Sequence, residues 1–291
     1  MNIKNKYIIF FSLFWFSSVG QTKNIDSLLL VIRSAYEDTV KANTLNKIGV
    51  FYYKRRSYDT AVLYYNQSIL LSKKIHFKQG EALSLYHFGH IAFEKQNYYE
   101  AFEDFSISLK KYQELDDKIY ISYCLKELGI ICKSQANYPK ALNFQLQSLK
   151  LDESLNDKKG ILSCYINIGI IYDLMREYNK ALLYYNKSLK IAEELSNTRL
   201  IITALSNIGI VYLNQKKHDL SLNFYKKALK INNSELKDDN VESRLYLNIA
   251  IAFVEKGEYD EALQNFSKCI ELSEKIGQID RVGRCYASIG D

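Results

Sequence analysis

Asn167, Asn207 and Asn248 recur at intervals of forty and forty-one residues. A primary amide donates and accepts hydrogen bonds at once, so a row of amides suits the backbone of an extended peptide. The same column also suits a merely polar surface. His87, His90 and Glu94 fall at i, i+3 and i+7, one helical face that could ligate a metal. Nothing like that triplet recurs, so no metal and no cofactor is assigned. His76 and His218 stand without a partner that would suggest catalysis. The sequence has no glycine-rich phosphate loop, no GxSxG and no Cys-x-x-Cys. Binding, not catalysis, is the chemistry these residues offer. A kinase domain, if the protein has one, is not in this chain.

The elements that must hold these residues are legible from small side chains. Gly49, Gly89, Gly129, Gly169 and Gly209 stand forty residues apart, Ala250 comes one residue late, and Gly290 restores the interval. Ala61, Ala101, Ala141, Ala181, Ser221 and Ala262 follow each of the first six. Small residues at fixed offsets mark close helix crossings, which predicts a solenoid of stacked helices. In the fourth copy, Tyr165, Ile168, Ile171 and Tyr172 have the three-to-four spacing of an amphipathic helix, and a second helix runs from Tyr178. The loop before that copy is expected at Asn156 to Gly160, with Gly160 at a helix end needing positive φ.

A mid-helix glycine costs about 1 kcal/mol relative to alanine, so its repeated use needs a packing reason. Tyr65, Phe105, Tyr185, Tyr225 and Phe266 form a column on the second helices that would fill the space. Gln145 breaks that column, which predicts a locally looser third copy. Pro139, the only proline, falls in the first turn of a second helix, where its missing N–H is harmless.

The chain has 291 residues, 47% hydrophobic and 25% charged, with 24 Tyr and 14 Phe. Its formal charge is +6, or +4 without Lys4 and Lys6. Charges of both signs alternate along the helices, which argues against a nucleic-acid-binding face. Residues 1–20 read as a signal peptide: Lys4 and Lys6, an apolar run from Tyr7 to Phe16, then Ser18 and Gly20 before a cut ahead of Gln21. An uncleaved anchor helix is the competing reading. Either places the rest outside the cytoplasm. Cys124, Cys164 and Cys285 share one repeat column, and Cys132 and Cys269 replace packed residues. Reduced, buried thiols are therefore expected, with Cys124–Cys164 the one bond to check.

The repeat resembles the tetratricopeptide repeat in a forty-residue form. The third copy reads Leu125, Leu128, Gly129, Cys132, Ala141, Gln145 and Ser148. The fourth reads Tyr165, Ile168, Gly169, Tyr172, Ala181, Tyr185 and Ser188, and the fifth reads Leu205, Ile208, Gly209, Tyr212, Ser221, Tyr225 and Ala228. The family's usual proline at the repeat end is absent. The resemblance implies an all-α, right-handed superhelix of antiparallel helix pairs over residues 40–291, six pairs plus a truncated seventh. Residues 24–38 would form a capping segment, with a lone helix from Asp26 to Tyr36. It also implies a groove lined by the first helices of each pair. Asn167, Asn207 and Asn248 would face it, beside Tyr53, His90, Phe93, Lys133, Asp173, Asn214 and Glu255. Some family members bind a C-terminal carboxylate with basic and Asn residues. Lys126 and Lys133 do not complete such a set.

The leading segment, from Asn24 to Asn46, resembles the exported tetratricopeptide regions of Bacteroidetes-type sensor histidine kinases and related regulators. That resemblance implies the input region of a membrane signal-transduction protein with a protein or peptide ligand. It would contact the membrane only through a missing C-terminal segment or an uncleaved N-terminal anchor. The abrupt stop after Gly290 predicts a truncated product or a fragment. The alternative is a free-standing periplasmic scaffold for a protein assembly.

Overall fold

Each apolar stripe becomes one helix, and each polar break becomes a tight turn. A computed structural model describes residues 25–33 and 36–290. The expected signal peptide, residues 1–20, lies outside the described residues. The helices are α1 (25–33), α2 (Thr39–Tyr53), α3 (Tyr58–Lys74), α4 (Lys78–Glu94), α5 (Tyr98–Glu114), α6 (Lys118–Ser134) and α7 (Tyr138–Ser154). They continue as α8 (Lys158–Leu174), α9 (Tyr178–Glu194), α10 (Thr198–Asn214), α11 (His218–Ile231), α12 (Asp239–Lys256), α13 (Tyr259–Lys275) and α14 (Ile279–Gly290). No strand occurs among the described residues, as the all-α expectation requires.

The chain divides into two units, residues 1–137 and 138–291. In the first, α2 through α6 pack in sequence, each against the next. Ile32 of α1 packs on the cluster of Ala42, Leu45 and Leu71. In the second, α7 through α14 pack likewise. Turns this short join antiparallel neighbours.

The turns repeat one design. Arg56, His76, Gln96, Asp116, Ala136, Asn156, Arg176, Ser196, Lys216 and Lys237 all have positive φ, between 48° and 59°. Each ends a helix in the left-handed conformation. A capping residue follows in several copies. Asp117 accepts from the Tyr120 amide, Asp157 from Lys159, Asn197 from Leu200 and Asp238 from Val241. Each cap satisfies an amide that the first turn leaves without an intrahelical partner.

Gly160 corrects the sequence reading. It lies in the first turn of α8 without a positive φ, and Asn156 supplies the left-handed residue instead. Its smallness serves packing, since a Cβ there would sit 2.6 Å from the Asp152 carboxylate. The repeat glycines serve the same end. A Cβ on Gly89 would sit 2.8 Å from the Phe105 ring, and on Gly169 or Gly209 it would sit 2.6 Å from Tyr185 or Tyr225. Those rings are buried, and each contributes roughly 2–3 kcal/mol by leaving water. Gln145, in the place of those rings, is fully buried and accepts from the Asn167 amide at 3.5 Å. Pro139 sits in the first turn of α7.

The late arrival of Ala250 also has a structural cause. After α11 the chain makes one π-helical turn, Asn232–Leu236, before the left-handed Lys237. A π turn absorbs a single inserted residue without breaking the stack. Buried Asn232 seals it, accepting from the Lys237 amide at 2.6 Å.

Candidate functional site

The expected groove residues fall on the first helices of the pairs, and the two units use them differently. In the first unit, Tyr53 lies on α2, His90 and Phe93 on α4, and Lys133 on α6. His90 meets Tyr86 edge-on at 4.7 Å between ring centroids and Phe105 at 5.1 Å, with Tyr53 at 6.3 Å. His87 stacks on Tyr65 at 5.1 Å. Phe93 packs against Tyr98 at 5.6 Å. Burial pushes His87 down to about 3, with His90 adding to the effect, and pushes His90 down to about 4. Both imidazoles are therefore neutral at pH 7.

Burial raises Glu127 to about 7, against the pull of Lys126. It raises Tyr53 to about 12, reinforced by Glu94, and lowers Lys133. Tyr53, His90 and Phe93 thus give the first-unit groove positions an aromatic face, with Lys133 on the following first helix. The imidazoles of the candidate metal triplet are occupied by ring contacts. Among the described residues, no three His, Cys, Asp or Glu side chains gather as a metal site.

The second unit presents amides and guanidinium groups. Asn214 on α10 donates to both carboxylate oxygens of Asp173 on α8, at 3.0 and 3.2 Å. Burial raises the Asp173 carboxyl, and this bond counteracts it. Asn207 and Asn248 line one cleft of about 240 Å³, together with Thr203, Ser206, Arg244 and Arg284. Both asparagines are half-buried, while Arg244 and Arg284 are exposed. Asn167 does not line this cleft, and its amide is bonded to Gln145. Two wider clefts, around Ile32 and Leu71 and around Arg176 to Lys180, contain none of the expected groove residues.

Arg244 and Arg284 escaped the sequence reading. Their signal was available: each stands six residues before a repeat small residue, Ala250 or Gly290. Thr203 holds the same place before Gly209. Two guanidinium groups beside two amides suit a carboxylate, which a guanidinium binds through paired N–H donors.

Tetratricopeptide repeat models match residues 80–154, 162–195 and 200–275, well over half of the chain. The chain belongs to the tetratricopeptide repeat family. No curated protein matches the sequence. Several solved structures share the fold. The signal transduction ATPase with numerous domains and a tetratricopeptide repeat sensor from Pyrococcus horikoshii is 19% identical, with a TM-score of 0.73. The match covers 90% of this chain and 40% of that one. The apo quorum sensor NprR from B. thuringiensis is 15% identical at a TM-score of 0.67, covering 98% and 80%. NprR in complex with its cognate peptide NprX is 16% identical at 0.62, covering 94% and 80%. At such identities the likeness is one of fold alone. No helix among the described residues of this tetratricopeptide protein is long and apolar enough to cross a membrane.

Proposed function

We infer that this tetratricopeptide module binds a peptide or protein in the second-unit cleft, and that an acidic group of the ligand is its anchor. One observation carries the reading: Asn207, Asn248, Arg244 and Arg284 converge on one cleft. The amides would hold the ligand's backbone, and the guanidinium groups would hold a side-chain or terminal carboxylate. NprR, a structural neighbour, has a cognate peptide, which agrees with a peptide ligand here. The module is a binder and not an enzyme, and it has no nucleic-acid partner.

The wider role is the exported, periplasm-facing input region of a membrane signalling protein. Residues 1–20 support export, and two neighbours, a quorum sensor and a protein with a tetratricopeptide repeat sensor, support sensing. The reading frame beyond Asp291 separates this role from a free periplasmic scaffold. An apolar span of about twenty residues followed by kinase or helix-turn-helix motifs supports the sensor. A stop codon after a polar capping helix supports the scaffold.

Selection from a random-peptide library tests the binding itself. Enrichment of acidic peptides that still bind an Asn167→Ala variant is the expected result. Recovery of only neutral or basic peptides would contradict the anchor.

A further inference from the structure

Cys285 on α14 donates its S–H to the sulfur of Cys269 on α13, with the two Sγ atoms 3.1 Å apart. Both side chains are fully buried. The same pairing recurs along the chain with a different partner. Cys124 donates to the Ser108 hydroxyl at 3.5 Å, and Cys164 to the Ser148 hydroxyl at 3.4 Å, each across sixteen residues. Ser68, Ser108, Ser148 and Ser188 hold the column that Cys269 enters forty-one residues further on from Ala228. The α13–α14 pair sets thiol against thiol.

The attachment of α14 adds a second observation. Arg281 and Cys285 are its only buried residues. The Arg281 guanidinium donates to Asn240 at 2.9 Å and to the Ser243 hydroxyl, both on α12, while its Nε has no hydrogen-bond partner. Its charge also reaches both sulfurs. The helix is thus held at one polar anchor and one sulfur contact.

We propose that Cys269 and Cys285 form a disulfide that locks α14 onto α13. The sulfurs need to close from 3.1 Å to about 2.0 Å, a short movement for two side chains already in contact. The oxidant is a small-molecule or protein disulfide. The Cys269 thiolate attacks one of its sulfurs, forming a mixed disulfide and releasing one thiol. The Cys285 thiolate then attacks the Cys269 sulfur, forms the new bond and expels the second thiol. Two cysteine thiols are oxidised, one external disulfide is reduced to two thiols, and the two cysteine protons end on those leaving thiols.

Burial, reinforced by the hydrogen bond to Cys269, holds the Cys285 thiol far above its ordinary range, against the pull of Arg284 and Arg281. Exchange is therefore slow while α14 is docked and proceeds when it opens or during folding. Arg284, next to Cys285 in sequence, lines the cleft with Asn207 and Asn248, so the lock also fixes the backbone that carries that guanidinium. This last consequence rests on the binding reading above; the crosslink itself does not.

The test refolds the reduced 291-residue chain in a glutathione redox buffer, so that access to buried sulfur does not limit the result. Thiols are then alkylated under denaturing conditions and mapped by mass. Of five cysteines, two should be consumed and three alkylated, with one linked peptide joining 269 and 285. Five alkylated cysteines, or a link through Cys124, Cys132 or Cys164, would overturn the proposal. The control is Cys269→Ser, which recreates the hydroxyl–thiol pair of Ser108 and Cys124 and should fold with all remaining thiols free. Amide exchange in α14 should slow by about tenfold on oxidation of the wild type and stay unchanged in the control. Equal exchange in the oxidised and reduced wild type would overturn the lock. Neither readout involves a ligand, so failure of the binding reading leaves both intact.

Discussion

The position two residues before the repeat small residue reads Lys47, His87 and Glu127 in the first unit, and Asn167, Asn207, Asn248 and Ser288 in the second. The backbone design is shared: a small residue in the first helix, a buried side chain over it, a left-handed turn and a polar cap. The exposed chemistry is not shared. In the first unit two members of this column pack into the protein, His87 stacked on Tyr65 and Glu127 raised to about 7 by burial, while Lys47 is exposed. In the second, two of its members open onto a cleft with Arg244 and Arg284. A repeat scaffold thus separates stability from recognition, because packing positions recur while groove positions are free to differ.

The largest expected effect breaks this contrast at the ligand. Arg244→Ala combined with Arg284→Ala should weaken binding of a selected acidic peptide by roughly tenfold to a hundredfold, the value of one or two charged hydrogen bonds. His90→Ala should change affinity less than about threefold by the same scale. Isothermal titration checks both, and a reversed order would place recognition in the first unit.

Next come the shared packing positions, where the units should respond alike. Gly89→Ala and Gly209→Ala each force a Cβ into a buried ring. Each should destabilise its own unit by roughly 1–3 kcal/mol, despite alanine's better helix propensity. Denaturant melts monitored unit by unit provide the measurement.

Acid should then distinguish the units. His87 and His90 have folded values near 3 and 4, below the ordinary 6.5. The unfolded chain binds their protons first, so their stabilising contribution, fully present above about 6.5, is lost as pH falls towards 4. Glu127, raised to about 7 from 4.5, acts oppositely and favours the folded state at low pH. The difference in stability between the wild type and His87→Phe should therefore shift in favour of the variant as pH falls from about 6.5 to about 4, by roughly 1–2 kcal/mol. A pH-independent difference would refute the neutral, buried imidazole.

The smallest effect concerns one hydroxyl. The Tyr65 Oη is buried without a hydrogen-bond partner, while Phe105 occupies the equivalent place without a hydroxyl. Tyr65→Phe should leave stability unchanged or raise it by up to about 1 kcal/mol in a thermal melt.

The helix pairs were readable because packing repeats: Gly209 recurs where Gly49 did, and each demands a buried partner. Gly160 misled because a small residue near a turn suits two jobs, and only the Asp152 contact shows which one it does. The asparagine column was visible, but Asn167 turned out to be bonded to Gln145, a contact that no spacing rule supplies. Arg244 and Arg284 were missed because a column seen twice, at the last two copies, lacks the redundancy that made the glycines obvious. The sulfur pair was missed for a related reason. Comparing each cysteine with its equivalent in the next repeat overlooks the helix packed beside it.

Hydrogen exchange of the full chain, with and without a selected acidic peptide, tests the central claim most directly. Slowed exchange confined to α10, α12 and α14 is the predicted footprint. Protection centred on α2, α4 and α6, with α10 and α12 unchanged, would contradict the assignment of recognition to the second unit.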